Sequence, residues 1–230
     1  MTRTSNARLA GFTYLFYIAV AFPSMLLLNR ATRGAGFAAK LASIARHAAD
    51  VRASVVLSLL GCLSALVLAV TLFAITRDED RDLAMLGLTC RVAEGVTGAV
   101  SIPPTLALLW LATAAGASAP DSSAAQAIGA FVLKQDAVVG ATFFAVGSTA
   151  FSWLLLRGRM ISVPLAWLGV LASVLLLVGL PLQLAGLLRG PLAQLIWLPM
   201  AAFEIPLGVW WLVKGDTAPA RHRRSELAAA

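Results

Sequence analysis

Apolar residues run along this chain in six long blocks, each divided from the next by a shorter polar or charged segment. A helix rises about 1.5 Å per residue, so about twenty residues cross the roughly 30 Å of hydrocarbon in a bilayer. Six segments reach that length: Leu9 to Asn29, Ala53 to Thr76, Leu83 to Thr113, Ala130 to Leu156, Val163 to Leu187 and Leu192 to Val213. The third is longer than a straight crossing needs and contains Pro103 and Pro104, which predicts a kink or an early end. Small, turn-forming residues from Gly116 to Ser123 separate it from the fourth. No internal repeat is visible, and so neither is the inverted-repeat signature of many secondary transporters.

The connection from Arg30 to Val51 has a pattern of its own. Phe37, Leu41, Ile44, Ala48 and Val51 recur at helical spacing, while Lys40, Arg46, His47 and Asp50 fall largely elsewhere. That spacing predicts a short amphipathic helix between spans one and two, either lying on the membrane surface or extending span two over the bundle. The expected fold is therefore all-α: a polytopic six-transmembrane-helix bundle, preceded by a tail of residues 1–8 and followed by a disordered basic tail, residues 215–230.

Composition agrees with the pattern. Sixty per cent of the 230 residues are apolar and 13% are charged, and the mean hydropathy is +0.85. A soluble domain of this size could not cover so much apolar side chain, so the lipid bilayer is the first partner implied. The +7 net charge does not point to nucleic acid, because the basic residues sit in short clusters between apolar runs with no recognition helix or aromatic platform. Such clusters are topology signals and contacts for anionic lipid headgroups at loops and tail. With both termini in the cytoplasm, ten basic residues face inward and seven outward, a bias that favours this orientation. The N-terminal block ends in Leu-Leu-Leu-Asn-Arg without a small-residue cleavage pattern, and reads as a retained span.

An ionised group in hydrocarbon costs several kcal/mol unless it is paired or solvated. Three charges fall inside the apolar blocks: Arg91, Glu94 and Glu204. Arg91 lies nine residues beyond Asp82, and Glu204 ten before Lys214. With those loops on one side, the two sit at depths within about 2 Å of each other, at about 1.5 Å per residue. Tyr17 lies nine residues past Arg8, and Ser148 nine before Arg157, so four spans place a polar side chain near one level. The expectation is a buried polar layer of Arg91, Glu94, Glu204, Tyr17, Tyr14 and Ser148, in which Arg91 pairs with Glu204 and with Glu94 at i+3. Such a layer fits a ligand pocket, and it fits a device that only fixes helix register. Pro199 and Pro206 bracket Glu204, and each is expected to free a helical carbonyl.

The remaining polar positions are weaker. Asp136, with Lys134 and Gln135, is expected at the outer mouth of span four, and Gln183 at the outer end of span five. Trp153, Trp167, Trp197, Trp210 and Trp211 mostly stand near span ends, as interfacial anchors do. Cys62 and Cys90 both lie in apolar runs and read as packing residues. His47 and His222 lie outside the spans, so no metal or haem site is expected and no cofactor is implied. Without a Gly-x-Ser-x-Gly elbow, a His-Glu-x-x-His helix or a Walker loop, no catalytic residue is assigned.

Three stretches carry a family resemblance: Ala7-Arg-Leu-Ala-Gly-Phe-Thr-Tyr-Leu15, Arg91-Val-Ala-Glu94, and Leu198 to Gly215, with its Phe-Glu204-Ile-Pro and Gly208-Val-Trp210. Together with the loop from Arg157 to Gly169, they make the chain resemble a bacterial membrane family known as domain of unknown function 4386, over almost its whole length. The resemblance implies a single six-helix domain in a bacterial cytoplasmic membrane, and it implies no activity. Two functions then stand side by side. One is a binding or transport module holding a small ligand, a lipid or a proton in the polar layer; the other is a non-catalytic structural or regulatory protein whose ion pairs only specify packing.

Overall fold

Hydrocarbon offers no hydrogen bonds, so a crossing segment must satisfy its main chain internally. In the computed structural model of this protein, every regular element among the described residues is an α-helix. The structure describes residues 2–114, 122–133 and 138–215. In chain order the helices are α1 (Arg3–Ala31), α2 (Phe37–Arg46), α3 (Ala48–Thr76), α4 (Arg81–Val100), α5 (Ile102–Thr113), α6 (Ser122–Val132), α7 (Val138–Arg157), α8 (Val163–Leu184), α9 (Pro191–Leu195) and α10 (Leu198–Lys214). Six stretches among them are long and apolar enough to cross a bilayer: α1, α3, α4 with α5, α7, α8, and α9 with α10. The chain is a multi-pass membrane protein.

Proline explains where two of the six are broken. Ser101 interrupts the third, and Pro103 and Pro104 enter the first turn of α5, where a missing N–H costs no hydrogen bond. Pro199 sits likewise in the first turn of α10 and so frees no carbonyl, contrary to expectation. Pro206 does lie inside α10. Yet Pro206 and Ala202, whose carbonyl loses its donor, are on the exposed face, opposite the buried face that carries Glu204. The fourth block is divided as well, since Ala130 to Val132 belong to α6 and the crossing helix begins at Val138. The expectations for Lys134, Gln135 and Asp136, for residues 116–121 and for the tail beyond Gly215 fall outside the described residues.

The chain forms two compact units. The first comprises Met1–Phe16, Ser64–Glu94 and Val138–Ala230. Its core joins Leu68, Leu72, Phe151, Leu154, Leu176 and Trp211. The second comprises Tyr17–Leu63 and Gly95–Ala137. There α2 lays its apolar face against α5 and α6: Ile44 is buried with Val51, Leu108 and Leu109, and the Phe37 ring occupies the space above Gly129. Protein, rather than lipid, covers the amphipathic helix.

Within the first unit the helices pack with small residues inward. α8 buries Ala166, Gly169, Ala172, Ser173 and Gly179 along with Val170, Leu176 and Leu180, while Trp167, Leu171, Val174, Leu175 and Val178 are exposed. Lipid tails are as apolar as leucine, so large side chains are as well accommodated outside as inside, and small ones allow close approach. The tightest crossing joins α1 to α10. A Cβ on Gly11 would stand 2.6 Å from both the Gly208 carbonyl oxygen and the Leu212 nitrogen. One on Gly215 would meet the Thr4 methyl at 2.8 Å. The two helices therefore run antiparallel, and their register sets Tyr14 against the turn containing Glu204. Substituting Gly11→Leu should force this crossing apart and lower stability by about 2 kcal/mol or more, read as a drop in the denaturant midpoint of the purified protein.

Candidate functional site

The site is built on α4. Arg91 and Glu94 are one turn apart, so their side chains rise on the same face. The Arg91 Nη1 donates to Glu94 Oε2 at 2.8 Å. The two side chains are 1% and 9% exposed. A charge-assisted bond of this length is among the stronger protein hydrogen bonds, and here it offsets much of the cost of removing both ions from water.

Neighbouring helices of the same unit shape the space around the guanidinium. On α7, Phe144 places its ring centroid 4.7 Å from Arg91 Cζ. Gly147, nearly one turn on, leaves room for the arginine stem: a Cβ there would press on Arg91 Cγ at 3.2 Å. On α1, the Tyr14 ring centroid lies 5.8 Å from Cζ, and the Tyr14 side chain hydrogen-bonds to Arg91. A guanidinium is planar and weakly hydrated, so it can hold a carboxylate at its edge while aromatic rings face it.

Glu204 arrives from α10. It is 7% exposed, and its electrostatic neighbours are Arg91 and Glu94. Glu94 and Glu204 are also the acidic neighbours of the Tyr14 hydroxyl. Ser148 lies one turn beyond Phe144 on the same face of α7. It is buried, and its Oγ has no hydrogen-bond partner among the described residues. The structure thus gathers Arg91, Glu94, Glu204 and Tyr14 into one cluster with Ser148 on its flank. Tyr17 falls in the second unit, where its ring edge lies 3.9 Å from the Cβ position of Gly61.

Two aromatic contacts back the cluster, and hydropathy alone did not reveal them. Trp211 is fully buried and packs on Tyr14 with ring centroids 6.3 Å apart, so it is no interfacial anchor. Trp197 packs on Phe144 at 5.8 Å. Their signal in the sequence was position: Trp211 lies seven residues after Glu204, two helical turns along the same face. The second unit holds a polar clasp that the sequence reading also missed. Ser24 on α1 donates to the Ser54 carbonyl on α3 and shares a hydroxyl contact with Ser58, both at 2.9 Å. Clasps of this kind commonly join membrane helices without binding anything.

An open groove on α4, α7 and α8, lined by Leu83, Leu86, Val146, Thr149, Trp153 and Leu177, is a different kind of place. Its one hydroxyl, on Thr149, is bonded to the Ala145 carbonyl. It offers acyl chains a surface and polar ligands nothing.

Comparison with known proteins adds one identification. The family model described as Domain of unknown function (DUF4386) matches residues 9–215. The chain belongs to that family. No curated protein and no solved structure matches it.

The geometry makes Arg91 the residue whose loss is most costly. Arg91→Leu strands Glu94 in the interior and should destabilise by about 3–5 kcal/mol. Arg91→Lys keeps the charge but loses the fork and the fit between the rings, and should fall between leucine and wild type. Equilibrium unfolding in mixed micelles measures both.

Proposed function

We propose that this member of the DUF4386 family is a small membrane binding or transport module whose polar layer takes up one positive charge, a proton or a small cation. Charge balance carries the reading. One guanidinium stands with two carboxylates, all under a tenth exposed, so the fully ionised trio has one negative charge in excess. An apolar interior penalises such an excess, and one added positive charge removes it. The Tyr14 hydroxyl supplies a neutral oxygen beside the carboxylates, which suits a proton or a small hard cation. Because Arg91 is bonded directly to Glu94, Glu204 is the carboxylate that accepts the extra charge. The ten-to-seven bias of basic residues supports a topology in which both termini face the cytoplasm.

One observation favours a second reading, in which the layer only fixes helix packing: the close fit of the Arg91 stem at Gly147 and of its guanidinium against Phe144. Glu204→Gln separates the two. Under charge uptake, the reconstituted protein shows a titrating carboxyl group by infrared difference spectroscopy, and Glu204→Gln removes it with a stability change under about 1 kcal/mol. Glu94→Gln, which breaks the direct pair, should cost about 2 kcal/mol or more. If no carboxyl titrates and both substitutions destabilise alike, the packing reading replaces this one.

A further inference from the structure

A basic surface lies at the end of the second unit, where α1 finishes, α2 lies and α3 begins. Arg30, Arg33, Lys40, Arg46 and Arg52 lie within 23 residues that contain a single acid, Asp50. Arg30 Nε approaches Asp50 Oδ2 at 3.8 Å, which joins the end of α1 to the start of α3. Among the described residues, Arg33, Lys40, Arg46 and Arg52 meet no carboxylate within 4.0 Å. Arg33, Arg46 and Arg52 are exposed and Lys40 is half-buried.

The other basic cluster, in the first unit, has a different balance. Arg77, Arg81, Arg157 and Arg159 accompany Asp78, Glu79, Asp80 and Asp82. Arg77 lies 3.8 Å from Asp78 and Arg157 lies 3.4 Å from Asp80, so protein carboxylates already answer that charge. Around α2 no carboxylate among the described residues answers Arg33, Lys40, Arg46 and Arg52, which leaves these four cations open to an outside anion.

The geometry points to anionic phospholipid headgroups as that anion: we infer that the α2 surface is a selective headgroup-binding site. Its residues flank the ends of two bilayer-crossing helices, α1 ending at Ala31 and α3 starting at Ala48, so they stand at headgroup depth. The apolar face of α2 is used up against α5 and α6, so this helix does not insert in the membrane. Attraction here is electrostatic, between fixed guanidinium and ammonium groups and lipid phosphates, and it weakens with salt. The pairing Arg33, Lys40 and Arg46 along one short helix and its leading turn gives the headgroups a defined surface instead of a flexible tail.

The test uses the full-length protein in bilayers with spin-labelled phosphatidylglycerol or phosphatidylcholine, reading the fraction of each label immobilised by protein. The expected result is preference for phosphatidylglycerol, reduced by salt and lowered about tenfold in the variant Arg33→Gln, Lys40→Gln, Arg46→Gln, Arg52→Gln. The variant Arg77→Gln, Arg81→Gln, Arg157→Gln, Arg159→Gln should keep the preference. Equal immobilisation of the two lipids by the wild type, or equal loss in both variants, would overturn the proposal. So would a preference abolished by millimolar inorganic phosphate, because the site would then take a soluble anion. Melting curves of each variant establish that a lost preference is not lost folding. None of these readouts depends on Glu204, so this proposal and the charge-uptake reading fail separately.

Discussion

A guanidinium held in the interior of a membrane protein imposes conditions on everything around it. Arg91 cannot shed its charge, so the fold has to supply an acceptor, a planar slot and cover from lipid. Glu94 provides the acceptor from the next turn of the same helix, at 2.8 Å. Phe144 and Tyr14 face the guanidinium, and Gly147 leaves space for the stem. Trp211 and Trp197 in turn pack on those two rings. Helices α1, α4, α7 and α10 are thus all committed to one side chain. The same commitment brings in Glu204, and with it a second carboxylate that a single arginine does not balance.

Packing follows from the solvent. Where water surrounds a protein, large apolar side chains go inside; here α8 turns Leu171, Val174, Leu175 and Val178 outward, and most of what it buries is glycine, alanine and serine. Close crossings of this kind, at Gly11 with Gly208 above all, fix helix register to a fraction of a turn. Register is what puts Tyr14 against the turn of Glu204. The second unit uses other means, a serine clasp between α1 and α3 and an amphipathic helix covered by α5 and α6, and it leaves the basic surface outside.

The six crossings were legible because length and hydropathy respond to bilayer thickness, and the break at Ser101 because two adjacent prolines fit only a first turn. The Arg91–Glu94 contact was legible from i, i+3 spacing. Azimuth was not. Counting residues from the loops gives depth but not the face a side chain occupies, and it is the face of α1 that sets Tyr14 beside Arg91. The burial of Trp211 was hidden for the same reason, since tryptophan near a span end reads as an anchor until its neighbours are known. Pro199 and Pro206 showed the reverse problem. Their effect depends on helix position and face, and neither frees a carbonyl toward Glu204.

The buried layer depends on Arg91 and Glu94 stabilising each other through their direct 2.8 Å contact. A double-mutant cycle of Arg91→Met and Glu94→Gln, read by equilibrium unfolding in mixed micelles, measures that mutual stabilisation directly. A coupling of about 2 kcal/mol or more, with the double variant more stable than the sum of the single losses, is the result expected of a desolvated pair. Additive losses would mean the two side chains do not depend on each other, and the account of the layer would fail with them.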